Sequence, residues 1–174
     1  MDKRHTRVYD LCSIGLFAAV IAVCAQIQIP LPGGVPLTLQ TLAVTLAGIA
    51  LGPAKGCAAA AAYVAAGAAG LPVFSGFAGG MGILFGPTGG FILSFPLMAL
   101  TAGIGGITGR RIYTAAGIFF GMTVNYLCGT VFFSYITAVN LGISFARCVL
   151  PFIPGDVIKM AAAILIGEKV KKSR

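Results

Sequence analysis

An aspartate and a lysine three residues apart, Asp156 and Lys159, stand in the stretch Pro154-Gly155-Asp156-Val157-Ile158-Lys159, inside a run that is otherwise apolar. On a helix that spacing brings both side chains to one face. Left alone near the centre of a bilayer, either charge would cost about 2.5 to 3.5 kcal/mol on insertion scales, so a charged pair within a span is by default a functional site. The competing reading is structural: Asp156 caps the last helix behind Pro154 and Gly155, its carboxylate taking free backbone N–H groups, with Lys159 as its salt-bridge partner. Economy favours the site, because the chain keeps nearly every other charge out of its apolar runs and a cap needs only Ser, Thr or Asn.

Three further groups could bind a ligand. The first is the uncharged segment Gly70-Leu71-Pro72-Val73-Phe74-Ser75-Gly76-Phe77-Ala78-Gly79-Gly80, continued by Gly86-Pro87-Thr88-Gly89-Gly90-Phe91. Its prolines fix backbone angles, Phe74, Phe77 and Phe85 supply flat apolar surface, and Thr88 is expected to cap the next helix while that helix's first N–H groups point outward at an anion. Such a loop can fold over a ligand, although its glycines also suit a tight re-entrant turn. The second is Gln40, one residue inside an apolar run after Pro36-Leu37-Thr38-Leu39. A buried amide must be satisfied by another helix or by a ligand, and Tyr63 and Asn125 pose the same question. The third is a small-residue face on the first helix, where Ala18 and Ala22 suit close docking of another helix, either from the same bundle or from a separate membrane subunit.

Several chemistries have no apparatus here. There is no Gly-x-Ser-x-Gly, no His-Glu-x-x-His, no phosphate loop and no pair of intramembrane carboxylates, so neither catalysis nor ATP hydrolysis is expected of the chain. Five scattered cysteines lack metal-type spacing, and the single histidine, His5, sits in a basic tail; no metal site and no cofactor are expected.

The elements that must position these residues are membrane helices. Of 174 residues 58% are hydrophobic and only 9% charged, with a mean hydropathy of +0.99, whereas a soluble domain carries about 25% charged residues. Too few charges remain to coat a globule in water, and a bilayer requires none over most of the surface. At about 20 apolar residues per span, the length allows roughly five to seven helices in a single bundle, residues 1–174 forming one domain. Six apolar runs occur: Leu11 to Ile29, Thr38 to Leu51, Gly56 to Gly70, Gly89 to Ile107, Tyr113 to Val139 and Val149 to Ile166. The second and third are short for a hydrocarbon core of about 30 Å.

Charge orients them. Lys3, Arg4 and Arg7, then Lys55, then Arg110 and Arg111, then Lys169, Lys171, Lys172 and Arg174 occupy alternate junctions, ten of the twelve basic residues. The junctions Pro30 to Leu37, Leu71 to Thr88 and Asn140 to Cys148 contain only Arg147. Both termini are therefore expected in the cytoplasm, and the uncharged loops outside. The net charge of +8 is a topology signal that also meets anionic membrane lipid, which leaves no role for nucleic acid. The first run reads as an uncleaved helix, since removing it as a signal peptide would put the charged junctions on the wrong parity.

Pro36-Leu37-Thr38-Leu39-Gln40-Thr41-Leu42, Gly70-Leu71-Pro72-Val73-Phe74, Gly86-Pro87-Thr88-Gly89-Gly90-Phe91, and Pro154-Gly155-Asp156 with Lys159 together resemble the BioY family, biotin-specific S components of energy-coupling factor (ECF) transporters. The likeness runs from the first helix to the last. It implies an all-α, six-helix S component in the plasma membrane of a bacterium, capturing biotin as its transported substrate under an ordered outer loop between helices 3 and 4. It also implies a membrane T component and two cytoplasmic ATPases as partners, docked partly through Ala18 and Ala22. The site residues it implies are Asp156, Lys159, Gln40, Tyr63, Phe74 and Ser75. Some family members also use an asparagine or an arginine in the third loop or fourth helix. This chain has neither from Leu71 to Leu97, which leaves Lys159 and the N–H groups after Pro87 and Thr88 as candidates for the biotin carboxylate. A proton-coupled secondary transporter working through Asp156, a non-transporting scaffold or receptor, and an S component for another vitamin are the alternatives; the first would call for inverted repeats with broken helices, and none is evident.

Overall fold

The computed structural model describes residues 3–31 and 34–172, and most of them are helical. Helix α1 (Lys3–Gln26) leads into a short antiparallel hairpin of β1 (Gln28–Ile29) and β2 (Leu37–Thr38), with Gln28 opposite Thr38. Helices α2 (Gln40–Leu51) and α3 (Pro53–Ala68) are joined through Gly52 alone. Pro53, which lacks an N–H, opens α3, and Gly52 takes a φ of 85° that a side chain would resist. Then follow α4 (Met81–Leu84), α5 (Gly89–Leu93), α6 (Phe95–Gly106), α7 (Arg111–Thr137), α8 (Leu141–Cys148) and α9 (Ile153–Lys172).

All six apolar runs are helical, with three differences from expectation. The run from Gly89 to Ile107 is two helices, because Pro96 offers no N–H to the Ile92 carbonyl and the ladder breaks at Ser94. The first run ends at Gln26, three residues before Ile29, and the hairpin takes over. The junction Asn140 to Cys148, read as a plain loop, holds α8. Asn140 caps it by accepting from the Gly142 N–H at 2.8 Å, Ser144 and Cys148 are its buried side, and its axis bends 54° from the following helix. By length and hydropathy Arg7–Gln26 and Arg111–Thr137 can each cross a bilayer, and the bent α8–α9 pair adds a third if counted as one span; α2 and α6, at 12 residues each, are apolar but short.

The bundle is held by close backbone approach. Helix α2 packs against α3, α6 and α9, and α6 also against α7. A Cβ on Gly48 would lie 2.2 Å from the Ala99 carbonyl oxygen and one on Gly56 2.5 Å from the Gly48 Cα, so these crossings admit no side chain. The core around them runs from Ile21 on α1 through Val44 and Tyr63 to Phe95 and Met98. At the basic end of the bundle Lys55 pairs with Asp10 and ties α3 to α1. Large apolar side chains such as Leu16, Phe119 and Ile158 cover the outside, as lipid contact requires.

One expected face turns inward. Ala18 and Ala22 are half-buried and pack against the chain's own core at the edge of the α1 contact. The open flank beside them carries Gly15 and Ala19, and a Cβ built on Gly15 would meet nothing within 4 Å.

Candidate functional site

Helix α9 aims Asp156 and Lys159 inward, where they are 2% and 9% exposed. Lys159 Nζ donates to Asp156 Oδ1 at 2.8 Å and to Thr41 Oγ1 at 3.3 Å. Thr41, in the first turn of α2, donates to Asp156 Oδ1 at 3.2 Å, and Tyr126 of α7 donates its hydroxyl proton to Asp156 Oδ2. Three helices thus converge on one carboxylate. Each charge meets its counter-charge plus neutral hydrogen bonds, which is what makes a buried pair tolerable. The cap reading of Asp156 is corrected: its carboxylate takes side-chain donors from α2, α7 and α9, and its own N–H donates to the Phe152 carbonyl at 2.8 Å. An ammonium has three donors and a carboxylate about four lone-pair positions. Among the described residues one Lys159 N–H and one Asp156 Oδ2 lone pair are therefore left without a partner.

Above this pair lies a cavity of about 340 Å³, within the usual range for small-molecule sites. Asp156, Lys159, Gln40, Asn125, Phe74, Ser75 and Thr88 all line it, drawn from the second, fifth and sixth apolar runs and the third loop. Phe91, Phe95 and Phe152 give it apolar walls. The two charges cancel, so the described lining carries no net charge.

Gln40 belongs to an oriented network. The Val73 carbonyl can only accept, so the Tyr63 hydroxyl donates to it, at 3.3 Å. Tyr63 in turn accepts from Gln40 Nε2, and Gln40 Oε1 accepts from Thr38 Oγ1 at 3.0 Å. Tyr63 itself does not reach the cavity; it stands behind Gln40 and Phe74 as their support, its ring edge-on to Phe74 at 5.6 Å.

The loop closes over the site by neutral bonds. Phe74 is 1% exposed and lies against Gly67, where a Cβ would fall 2.1 Å from its ring. Its N–H donates to the Ala78 carbonyl at 2.9 Å, making a tight turn in which Gly76 and Phe77 both have positive φ. Gln26, at the end of α1, holds that turn from below: Nε2 donates to the Phe74 carbonyl at 3.1 Å and Oε1 accepts from the Phe77 N–H at 2.9 Å. Ser75 donates to Gln28 Oε1. Thr88 differs from expectation, since its hydroxyl makes no cap bond and the Gly89 N–H is already taken by the Gly86 carbonyl at 3.0 Å.

Tyr126, Gln26 and Gln28 were not singled out in the sequence, and Thr41 stood there only within the polar segment and motif around Gln40, with no role of its own. Thr41 and Tyr126 each adjoin a residue that was singled out, Gln40 and Asn125, and a polar side chain next to a buried amide in an apolar run was the available signal.

The BioY family profile matches residues 1–174. A probable biotin transporter BioY from Pyrococcus horikoshii is 40% identical over 162 residues, covering 93% of this chain and 96% of that protein. The biotin transporter BioY of Thermotoga maritima is 39% identical over 166 residues, covering 94% and 96%. Among solved structures, the crystal structure at 2.1 Å of the S-component for biotin from an ECF-type ABC transporter superposes with a TM-score of 0.88 at 26% identity, covering 99% of this chain and 95% of that one.

Proposed function

The chain belongs to the BioY family, and from that premise we propose that it is the biotin-binding S component of an ECF-type transporter and mediates biotin uptake across the cell membrane. The observation that carries this reading is the cavity with a buried, neutralised ion pair at its wall. Biotin presents two ureido N–H donors, one carbonyl acceptor and an apolar thioether ring. Asp156 Oδ2 accepts from a ureido N–H, the spare Lys159 N–H, held beside Asp156, donates to the ureido carbonyl and not, as the resemblance also allowed, to the carboxylate, and Phe74, Phe91, Phe95 and Phe152 enclose the ring. Gln40, Asn125, Ser75 and Thr88 complete the polar lining, with Tyr63 behind it.

The whole chain acts as one domain of six membrane spans, counting α5 with α6 and α8 with α9, with both termini cytoplasmic and the segment from Leu71 to Thr88 as an outer lid. The alternation of basic and uncharged junctions supports that orientation. Energy comes from a T component and two ATPase subunits, since the chain contains no nucleotide-binding motif. The T component meets α1 along the flank of Gly15 and Ala19, which borders Ala18 and Ala22; of the two candidate long spans α1 is the less buried.

Competition binding tests the proposal. Purified full-length protein is expected to hold labelled biotin that unlabelled biotin displaces and that riboflavin, thiamine and folate do not. Displacement by another vitamin at concentrations similar to biotin would make this an S component for that vitamin.

A further inference from the structure

Asn125, on α7, is 2% exposed, and its neighbours fix which way round its amide lies. The Phe91 carbonyl only accepts, so the group facing it at 2.9 Å is the Asn125 NH2. Ser94 spends its single proton on that same carbonyl, at 2.9 Å, and so has only lone pairs for Asn125, whose Nδ2 donates to it at 2.7 Å. Both amide hydrogens are thereby used. A flipped amide would set oxygen against the Phe91 carbonyl and strand two buried acceptors. The remaining atom, Asn125 Oδ1, has no hydrogen-bond partner among the described residues, and the residue lines the cavity. The break of the fourth apolar run builds this arrangement: Pro96 interrupts the ladder, which places Ser94 between α5 and α6 and leaves the Phe91 carbonyl to side-chain donors.

We infer that Asn125 is a selectivity residue of the cavity and Ser94 its positioning residue: locked by Ser94 and the Phe91 carbonyl, Asn125 presents an uncharged acceptor with no proton, and so demands a ligand N–H opposite Oδ1. The inference rests on the biotin reading, in which that N–H belongs to the cyclic urea. Asp156 and Asn125 then divide the two ureido N–H groups, one read by a charged acceptor and the other by a neutral one. A ligand with an alkylated nitrogen at the second position leaves Oδ1 buried and unpaired, the situation in which polar sites discriminate most strongly.

The test is the ratio of affinities for biotin and for its two mono-N-methyl derivatives, measured on the purified full-length chain. The unaltered protein is expected to prefer biotin over at least one derivative by roughly tenfold or more. Asn125→Ala should bring the ratio for that derivative towards one, through weaker biotin binding and not through tighter binding of the methylated compound. Ser94 does not line the cavity, so Ser94→Ala cannot relieve a clash with the methyl group; it should nevertheless narrow the same ratio, and Ser94→Thr, which keeps the hydroxyl, should restore it. A ratio unchanged in both alanine variants would overturn the inference while leaving the biotin reading intact, as would equal loss of all three ligands in folded protein. Failure of the unaltered chain to bind biotin would overturn both.

Discussion

On one wall of the cavity Asp156 and Lys159 hold opposite charges 2.8 Å apart, braced by Thr41 and Tyr126 from two other helices. Across the loop from Leu71 to Thr88 there is no charged side chain at all, and the turn around Phe74 is tied down by two neutral amides, Gln26 and Gln28. The difference is one of cost. A charge in an apolar bundle must be matched or it destabilises the fold, so the first wall is rigid and each member depends on the others. The loop's polar bonds are neutral, from amide and hydroxyl donors to carbonyl oxygens, each worth about 0.5 to 1.5 kcal/mol net, so losing one strands no buried charge.

The largest effect is expected where a charge loses its partner. Lys159→Met leaves the Asp156 carboxylate buried and uncompensated, which costs about 3 to 5 kcal/mol; thermal melting in detergent should fall steeply and biotin binding should be lost. The double variant with Asp156→Asn should regain much of the melting temperature and none of the binding. On the lid, Phe74→Ala empties the space over Gly67 and removes the edge contact with Tyr63. Truncating a buried phenylalanine costs about 3 to 5 kcal/mol where the site cannot collapse. Phe74 belongs to the main core, so the melting temperature should fall as well as biotin retention, the latter read as a dissociation rate at least tenfold faster.

Smaller and more local is the effect on α1. Ala22→Trp should lower stability, because that residue packs on the core, whereas Ala19→Trp on the open flank should bind biotin normally and lose ATP-driven uptake in vesicles reconstituted with the T component and ATPases. Uptake that survives Ala19→Trp would place the partner on another face. The mildest change is Gln26→Leu, which removes the lid's hold from below. Biotin should leave a few times faster, in keeping with about 1 kcal/mol for the bonds lost, with the melting temperature little altered.

The same contrast explains what could be read in the sequence. Asp156 and Lys159 were conspicuous because a charge among apolar residues has few reasons to be there, and Gln40 and Asn125 stood out for the same reason in weaker form. Thr41 and Tyr126 are ordinary residues in membrane helices, and only the convergence of α2, α7 and α9 gives them a carboxylate to hold. Gln26 and Gln28 lie at the end of an apolar run, where polar residues are unremarkable, yet they reach forty-odd positions ahead to the loop. Among the helices, the apolar runs were visible through composition, while the break at Ser94 depended on one proline and α8, eight residues with Arg147 in its last turn, was too short to register as a run. Ala18 and Ala22 illustrate a limit of helical periodicity: it groups small residues on one side of α1, and only packing decides how much of that side faces the chain's own core.

In the proposed function the buried Asp156 carboxylate reads the ureido ring of biotin, and the affinity of the Asp156→Asn variant for biotin is the measurement that decides it. The asparagine keeps the size of the side chain and can still bond Thr41 and Tyr126, but it strands the buried Lys159 ammonium at a cost of about 3 to 5 kcal/mol, so the affinity is read on the protein that remains folded. Binding is expected to be at least tenfold weaker than that of the unaltered chain, about 1.4 kcal/mol; an unchanged affinity in folded protein would contradict that role of Asp156.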